Sequence, residues 1–180
     1  SKIKYDFAIS AHFQRIIPEY IYSAASIAAL NLHPSLLPKY RGMSPQHWPI
    51  INGDTYTGVT VHLMEEVVDV GAIISQETIP LPADIYIHQL QKTLLNVYDH
   101  IVLESVKKCI EGYKGVSQKH LVSKYYGKVS LNDRTITSSD GIGIAFGKIR
   151  AFSHPYEGAI FGDKIIYKAV KAEETNDDEL

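Results

Sequence analysis

The sequence predicts an open α/β sheet followed by a small α+β subdomain at the C-terminal end. Three observations predict it. Apolar, β-branched runs alternate with helical patterns through the first two thirds of the chain. A polar stretch after Gly112 breaks that alternation. Beyond it, a short helical pattern is followed by two short strand-like runs.

Taken in order, residues 7–12 read as a short buried strand. Pro18 can open a helix, because its missing N–H costs nothing in a first turn. The run Ile27-Ala-Ala-Leu-Asn-Leu is a second buried strand, and a loop marked by Pro34, Pro38 and Gly42 follows. Ser44 is placed to cap a helix with Pro45 at its first position, and Asn52-Gly53-Asp54 to end it. Residues 58–64 alternate and are β-branched, which makes them a strand. An acidic loop, 65–71, leads to another strand over 72–80. Ile87, Leu90, Leu94, Val97, Ile101, Val102, Val106 and Ile110 recur at helical spacing, predicting one long helix over about 84–111. Residues 113–128 read as a linker crossing the surface. Ser138-Ser-Asp-Gly can cap a helix running to Phe152, and two short strands follow His154-Pro-Tyr-Glu-Gly158. The expected units are thus 1–112, the linker 113–128, a subdomain over 129–172, and an acidic disordered tail, 173–180.

Composition narrows the function classes. A chain of 180 residues can bury one real core plus an appendage. Net charge is -2 with no long run of one sign, which argues against a broad nucleic-acid footprint. Cys109 is the only cysteine, so no intrachain disulfide forms, and a cytoplasmic setting is favoured. Its place in a helical apolar pattern predicts packing rather than nucleophilic chemistry. No run approaches the length of a membrane span and no signal-peptide pattern opens the chain. The abrupt start predicts a fragment, or a chain lacking its first βαβ unit.

The chemistry-bearing stretch is Asn31-Leu-His33-Pro-Ser-Leu-Leu-Pro38-Lys-Tyr-Arg41-Gly42. Asn31 and His33 lie two residues apart at a strand end, so both side chains share a face. Asp69 lies in the loop after the next strand, close enough in topology to join them. Alone, an Asn-x-His pair more often forms a turn than an active site. Together the three groups suit acyl transfer to an amine. The Asn amide and a protonated His can hold a developing oxyanion, His can shuttle the proton, and a carboxylate can raise the His pKa and orient the ring. His33, His47, His62 and Asp69 are metal-ligand types, but their spacing fits no familiar zinc pattern, and no metal is expected.

Read together with Asn52-Gly53-Asp54, Gly58-Val-Thr-Val-His62 and Asp69-Val-Gly71, the stretch resembles the formyltransferases that use 10-formyltetrahydrofolate. The resemblance runs from about residue 5 to 169. It implies a mostly parallel Rossmann-like sheet, Asn31, His33 and Asp69 as catalytic residues, and 10-formyltetrahydrofolate as cosubstrate. It places the folate against Phe13, Gln14, Arg15, Ile16 and Ile17 on one side and Glu65, Glu66, Val67 and Val68 on the other. The run from Lys39 to Trp48, and Ile149-Arg150-Ala-Phe-Ser-His154-Pro155-Tyr156, look like the sugar-nucleotide and methionyl-tRNA branches. An acidic end leaves no basic surface for tRNA, so a nucleotide-linked amino sugar is the expected acceptor. Ser35, Lys39, Tyr40, Arg41, Trp48, Arg150 and Tyr156 are its expected contacts, with Arg41, Lys39 and Arg150 set against phosphates. A tRNA-directed enzyme and a binding module without turnover are the rival readings. The apolar strands at 159–161 and 165–167 could pair across a homodimer.

Overall fold

The computed structural model describes residues 3–118 and 123–170. The expected acidic tail, the last residues of the expected subdomain and the middle of the expected linker lie outside them. In chain order the elements are β1 (Tyr5–Ala11), α1 (Glu19–Tyr22), β2 (Ala25–His33), β3 (Arg41–Gly42), α2 (His47–Asn52), β4 (Tyr56–Leu63), β5 (Ile73–Pro80) and α3 (Ile87–Ile110). They continue with β6 (Tyr125–Tyr126), α4 (Leu131–Arg134), α5 (Ile142–Ala151), β7 (Ala159–Phe161) and β8 (Lys164–Ile166).

The central sheet has the order β1-β2-β4-β5. β1 pairs parallel with β2, whereas β4 is antiparallel to both β2 and β5. Three of the four strands therefore point one way and β4 alone is reversed. The register sets His62 directly opposite Asn31 and Thr60 opposite His33. Cross-strand partners share a face, so this pairing brings His62 to the Asn31 side of the sheet.

α3 covers one face of the sheet. Ile87, Leu90 and Leu94 are fully buried and Ile101 nearly so, packed in one cluster with Leu30, Leu32, Val59, Val61, Ile74 and Ile79. Each such side chain contributes about 1.5–3 kcal/mol by leaving water. Cys109 is buried in that cluster, and burial raises its thiol pKa. Ile110, expected on the apolar stripe, is 63% exposed, and its neighbour Cys109 takes the buried position in that turn. α2 and α5 pack closely, since a Cβ on Gly147 would lie 2.7 Å from the Ile51 carbonyl oxygen.

Several local expectations need correction. α2 begins at His47, not Pro45, with Gln46 rather than Ser44 at its cap. Ser44 has φ 56, and its hydroxyl accepts from the Val129 N–H at 3.2 Å. Gly53 ends α2 as expected, at φ 69 in the left-handed region. The segment expected to be a surface linker keeps most of its described residues exposed and is anchored to the fold at a few points. Val116 bridges Ile73, β6 pairs parallel with β3, and Gln118 is 2% exposed. Among the described residues of the segment Gln118 alone is buried, and its polarity serves buried hydrogen bonds. β7 and β8 pair with each other in a hairpin.

Candidate active site

β2 delivers Asn31 and His33 to a strand end, β4 delivers His62 beside them, and the loop 64–72 carries Asp69 back over all three. Asp69 is 4% exposed and has φ 58, a left-handed backbone unusual for a residue with a side chain. Its Oδ2 accepts from the Gly42 N–H at 2.8 Å and lies 3.5 Å from His33 Nδ1. Its Oδ1 lies 3.4 Å from His62 Nε2 and 3.5 Å from Asn31 Nδ2. Asn31 Nδ2 is also 3.1 Å from His62 Nε2. The predicted trio thus converges on one carboxylate, and His62 makes it a quartet.

The hydrogen bonds fix the ring chemistry. His33 Nε2 faces the Tyr40 carbonyl at 2.9 Å, and a carbonyl only accepts, so Nε2 carries the proton. Nδ1, toward Asp69, is then the basic nitrogen. His62 Nδ1 likewise donates to the Leu63 carbonyl at 2.8 Å, leaving Nε2 to accept from Asn31. Burial lowers the His33 pKa below its ordinary value, outweighing the upward pull of Asp69 and the Tyr40 carbonyl. The sequence argument weighed only the carboxylate, which favours imidazolium, and missed the larger desolvation effect. Asp69 moves the other way. Burial opposes its ionisation, but the His62 and His33 rings beside it, at 3.4 and 3.5 Å, and the Gly42 N–H together hold its carboxyl below the usual range. A neutral imidazole beside a carboxylate is the resting pair at neutral pH.

The quartet opens on a cleft of about 1430 Å³. A small-molecule pocket is typically about 300–1,000 Å³, so there is room for two ligands side by side. Phe13, Gln14, Arg15, Ile16 and Ile17 line it on one side, and Glu65, Glu66 and Val68 on another. Val67 does not line it and is 56% exposed. Phe13 and Ile16 are 60% and 82% exposed. The segment 13–17 belongs to no helix or strand, and among the described residues no backbone hydrogen bond outside the regular elements reaches it. Its backbone groups are therefore free for water or for a heterocycle's donors and acceptors.

The expected acceptor contacts divide. Tyr156 lines the cleft, accepting from Gln91 Nε2 at 2.8 Å. Ser35, Lys39, Tyr40, Arg41, Trp48 and Arg150 do not. Ser35 is fully buried and donates to the Lys39 carbonyl at 2.7 Å. Tyr40 donates through its hydroxyl to Asp54 at 2.8 Å, and Lys39 pairs with the same carboxylate at 3.5 Å. Trp48 packs on Tyr126 with ring centroids 4.9 Å apart. Arg150 has a buried Nε without a partner. Arg41 is 5% exposed, and its guanidinium is spent on the Asp69 carbonyl and on Gln118. A cationic residue type in the right stretch suggested phosphate, but the fold encloses Arg41, pairs the exposed Lys39 with Asp54 and leaves Arg150 off the cleft. The cations that do line the cleft are Arg15, Lys128 and Arg134.

Sequence reasoning also passed over His62 and Gln118 as site residues. The strand alternation over 58–64, matched to the parity of Asn31, could have found His62. No local pattern marks Gln118.

Residues 1–106 match the family described as formyl transferase. A methionyl-tRNA formyltransferase of Syntrophus aciditrophicus (strain SB) is 33% identical over 160 residues, covering 88% of this chain and 51% of that protein. The bifunctional polymyxin resistance protein ArnA of Wigglesworthia glossinidia brevipalpis is 33% identical over 170 residues, covering 92% of this chain and 26% of that one. The chain therefore spans about half the length of the first relative and a quarter of the second. The crystal structure of WlaRD, a sugar 3N-formyl transferase, determined in the presence of dTDP and 5-N-formyl-THF, superposes with a TM-score of 0.77 at 26% identity. That match covers 92% of this chain and 61% of WlaRD. Asn31, His33, His62 and Asp69 all fall inside the matched segment, and the chain belongs to the formyl transferase family.

Proposed function

We propose that this protein transfers a formyl group from 10-formyltetrahydrofolate to the amino group of a nucleotide-linked amino sugar. The observation that carries the proposal is the convergence of Asn31, His33 and Asp69 at the wall of a cleft large enough for donor and acceptor together. The folate would lie between the segment 13–17 and the loop at 65–68, supplying the formyl carbon. The acceptor amine approaches from the side lined by Tyr156 and Lys128.

As the amine attacks, the formyl oxygen gains negative charge and the amine nitrogen becomes acidic. His33 Nδ1 takes that proton, and Asp69, 3.5 Å away, stabilises the imidazolium. The same proton then passes to the departing nitrogen. Asn31 gives one N–H to His62, and its second makes only a 3.5 Å contact with Asp69. That second N–H is the donor available to the oxyanion. His62 thereby orients Asn31 as Asp69 serves His33.

A sugar nucleotide is supported by the likeness to WlaRD, whose structure was determined with dTDP, and by the absence of excess positive charge, -2 overall. Initiator methionyl-tRNA is the second reading, supported by the relative from Syntrophus aciditrophicus. The deciding experiment is a formyl-transfer assay with dTDP- and UDP-linked amino sugars beside charged initiator tRNA. Transfer to a sugar nucleotide, abolished in His33→Ala, is the expected result. Transfer to tRNA alone overturns the acceptor, and folate binding without transfer to any of them overturns the enzyme.

A further inference from the structure

We propose that Gln118 is a positioning residue for the reacting centre, clamping the Asp69 backbone so that its carboxylate faces His33. The inference rests on the role given to Asp69 above.

Gln118 is 2% exposed and does not line the cleft, so it reaches no ligand directly. Its amide nitrogen donates to two carbonyls of the Asp69 loop, that of Asp69 at 3.2 Å and that of Gly71 at 2.7 Å. Its amide oxygen accepts from Arg41 Nη2 at 2.9 Å. The amide orientation follows from the partners, since carbonyls only accept and a guanidinium only donates. Arg41 Nε donates to the same Asp69 carbonyl at 3.0 Å. One carbonyl is thus held by two donors from elements far apart in the chain.

The grip has something to hold. Asp69 sits at φ 58, where a non-glycine residue stays only if its surroundings over-determine it. If the peptide rotates out of that conformation, the side chain leaves Gly42, His33 and His62 together. Only a planar amide offers two N–H donors and one acceptor at this reach. Glutamate keeps the acceptor and loses both donors, and leucine loses all three.

The consequence reaches His33 through charge. The groups facing it are Asp69 from the loop, His62 from β4, His12 beyond β1 and the Tyr40 carbonyl. Asp69 and the carbonyl favour the imidazolium, and the two histidines disfavour it. Arg41 stands behind Asp69, on its carbonyl. Displacing the Asp69 carboxylate removes a charge that raises the His33 pKa. The basic form of His33 then persists to lower pH, and the acid limb of the rate profile moves down.

The test compares Gln118→Leu with wild type in the formyl-transfer assay, across pH. Expected are a roughly 10–100-fold fall in kcat, the loss typical of a slightly misplaced catalytic group, unchanged KM for both substrates, and an acid limb displaced to lower pH. Gln118→Met keeps the length and the buried volume, and gives the same readout should leucine prevent folding. Unchanged kcat in a folded variant, or an unmoved limb, overturns the proposal, because a purely structural role lowers stability without touching the limb. If the wild-type chain turns over no acceptor, the proposed function fails on its own account. The inference is then read from an NMR titration of the His33 ring. A lower ring pKa in Gln118→Leu sustains it and superimposable curves overturn it.

Discussion

Replacing His47 with phenylalanine should flatten the acid side of the stability profile by a calculable amount. His47 is 5% exposed, with its ring against Tyr156 at 4.5 Å and Phe152 at 5.4 Å, and neither ring nitrogen has a partner. Burial drives its pKa from 6.5 to about 4. A folded-state pKa below the unfolded one means that the unfolded chain binds the proton first. The neutral ring is accommodated fully above pH 6.5, and stability is lost as pH falls from there toward 4. With those two values, proton linkage predicts a loss of about 2 kcal/mol between pH 7.5 and 5.0 from this ring alone. His47→Phe keeps the ring contacts and has nothing to titrate. Urea unfolding at both pH values measures the difference, and any packing change common to the two cancels in the subtraction. Wild type should lose about 2 kcal/mol more than His47→Phe over that interval. Parallel losses in the two proteins would refute the picture of a buried neutral imidazole.

Asp69→Asn keeps the shape and removes the charge beside His33; folate binding measured by calorimetry should persist while kcat falls on the order of 10²-fold or more, and retained rate would assign Asp69 a different role. Gly71→Ala places a Cβ 1.8 Å from the Leu63 carbonyl oxygen, beside His62. The backbone must give way there, and chemical denaturation should show a loss of about 1–3 kcal/mol, as overpacking does. Leu94→Ala empties a fully buried position under α3 and should cost about 2–5 kcal/mol by the same measurement, with the His33 ring titration unchanged.

The alternation of strand and helix, the long helix α3 and the end of α2 at Gly53 were all legible in the chain, because each depends on neighbours within a few residues. Asn31 and His33 were legible for the same reason, since strand parity is a local property. Asp69 was within reach because sequential strands lie side by side. The start of α2 was misplaced, because Ser44 looks like a cap on sequence but spends its hydroxyl on Val129, far along the chain.

What the sequence determined by itself is the fold class and the chemical character of the centre: an amide, an imidazole and a carboxylate at strand ends. Tertiary structure alone decided which nitrogen of His33 is basic, because the Tyr40 carbonyl claims the other. It decided that His33 rests neutral, because burial is a property of the packed molecule. It turned Arg41 from a phosphate contact into a clamp, since only the fold shows that its guanidinium is enclosed by Asp69 and Gln118. Charge and residue type are written in the chain, but the direction a side chain faces depends on contacts between distant segments. The pairing of β6 with β3 and the seating of Gln118 on the Asp69 loop are such contacts.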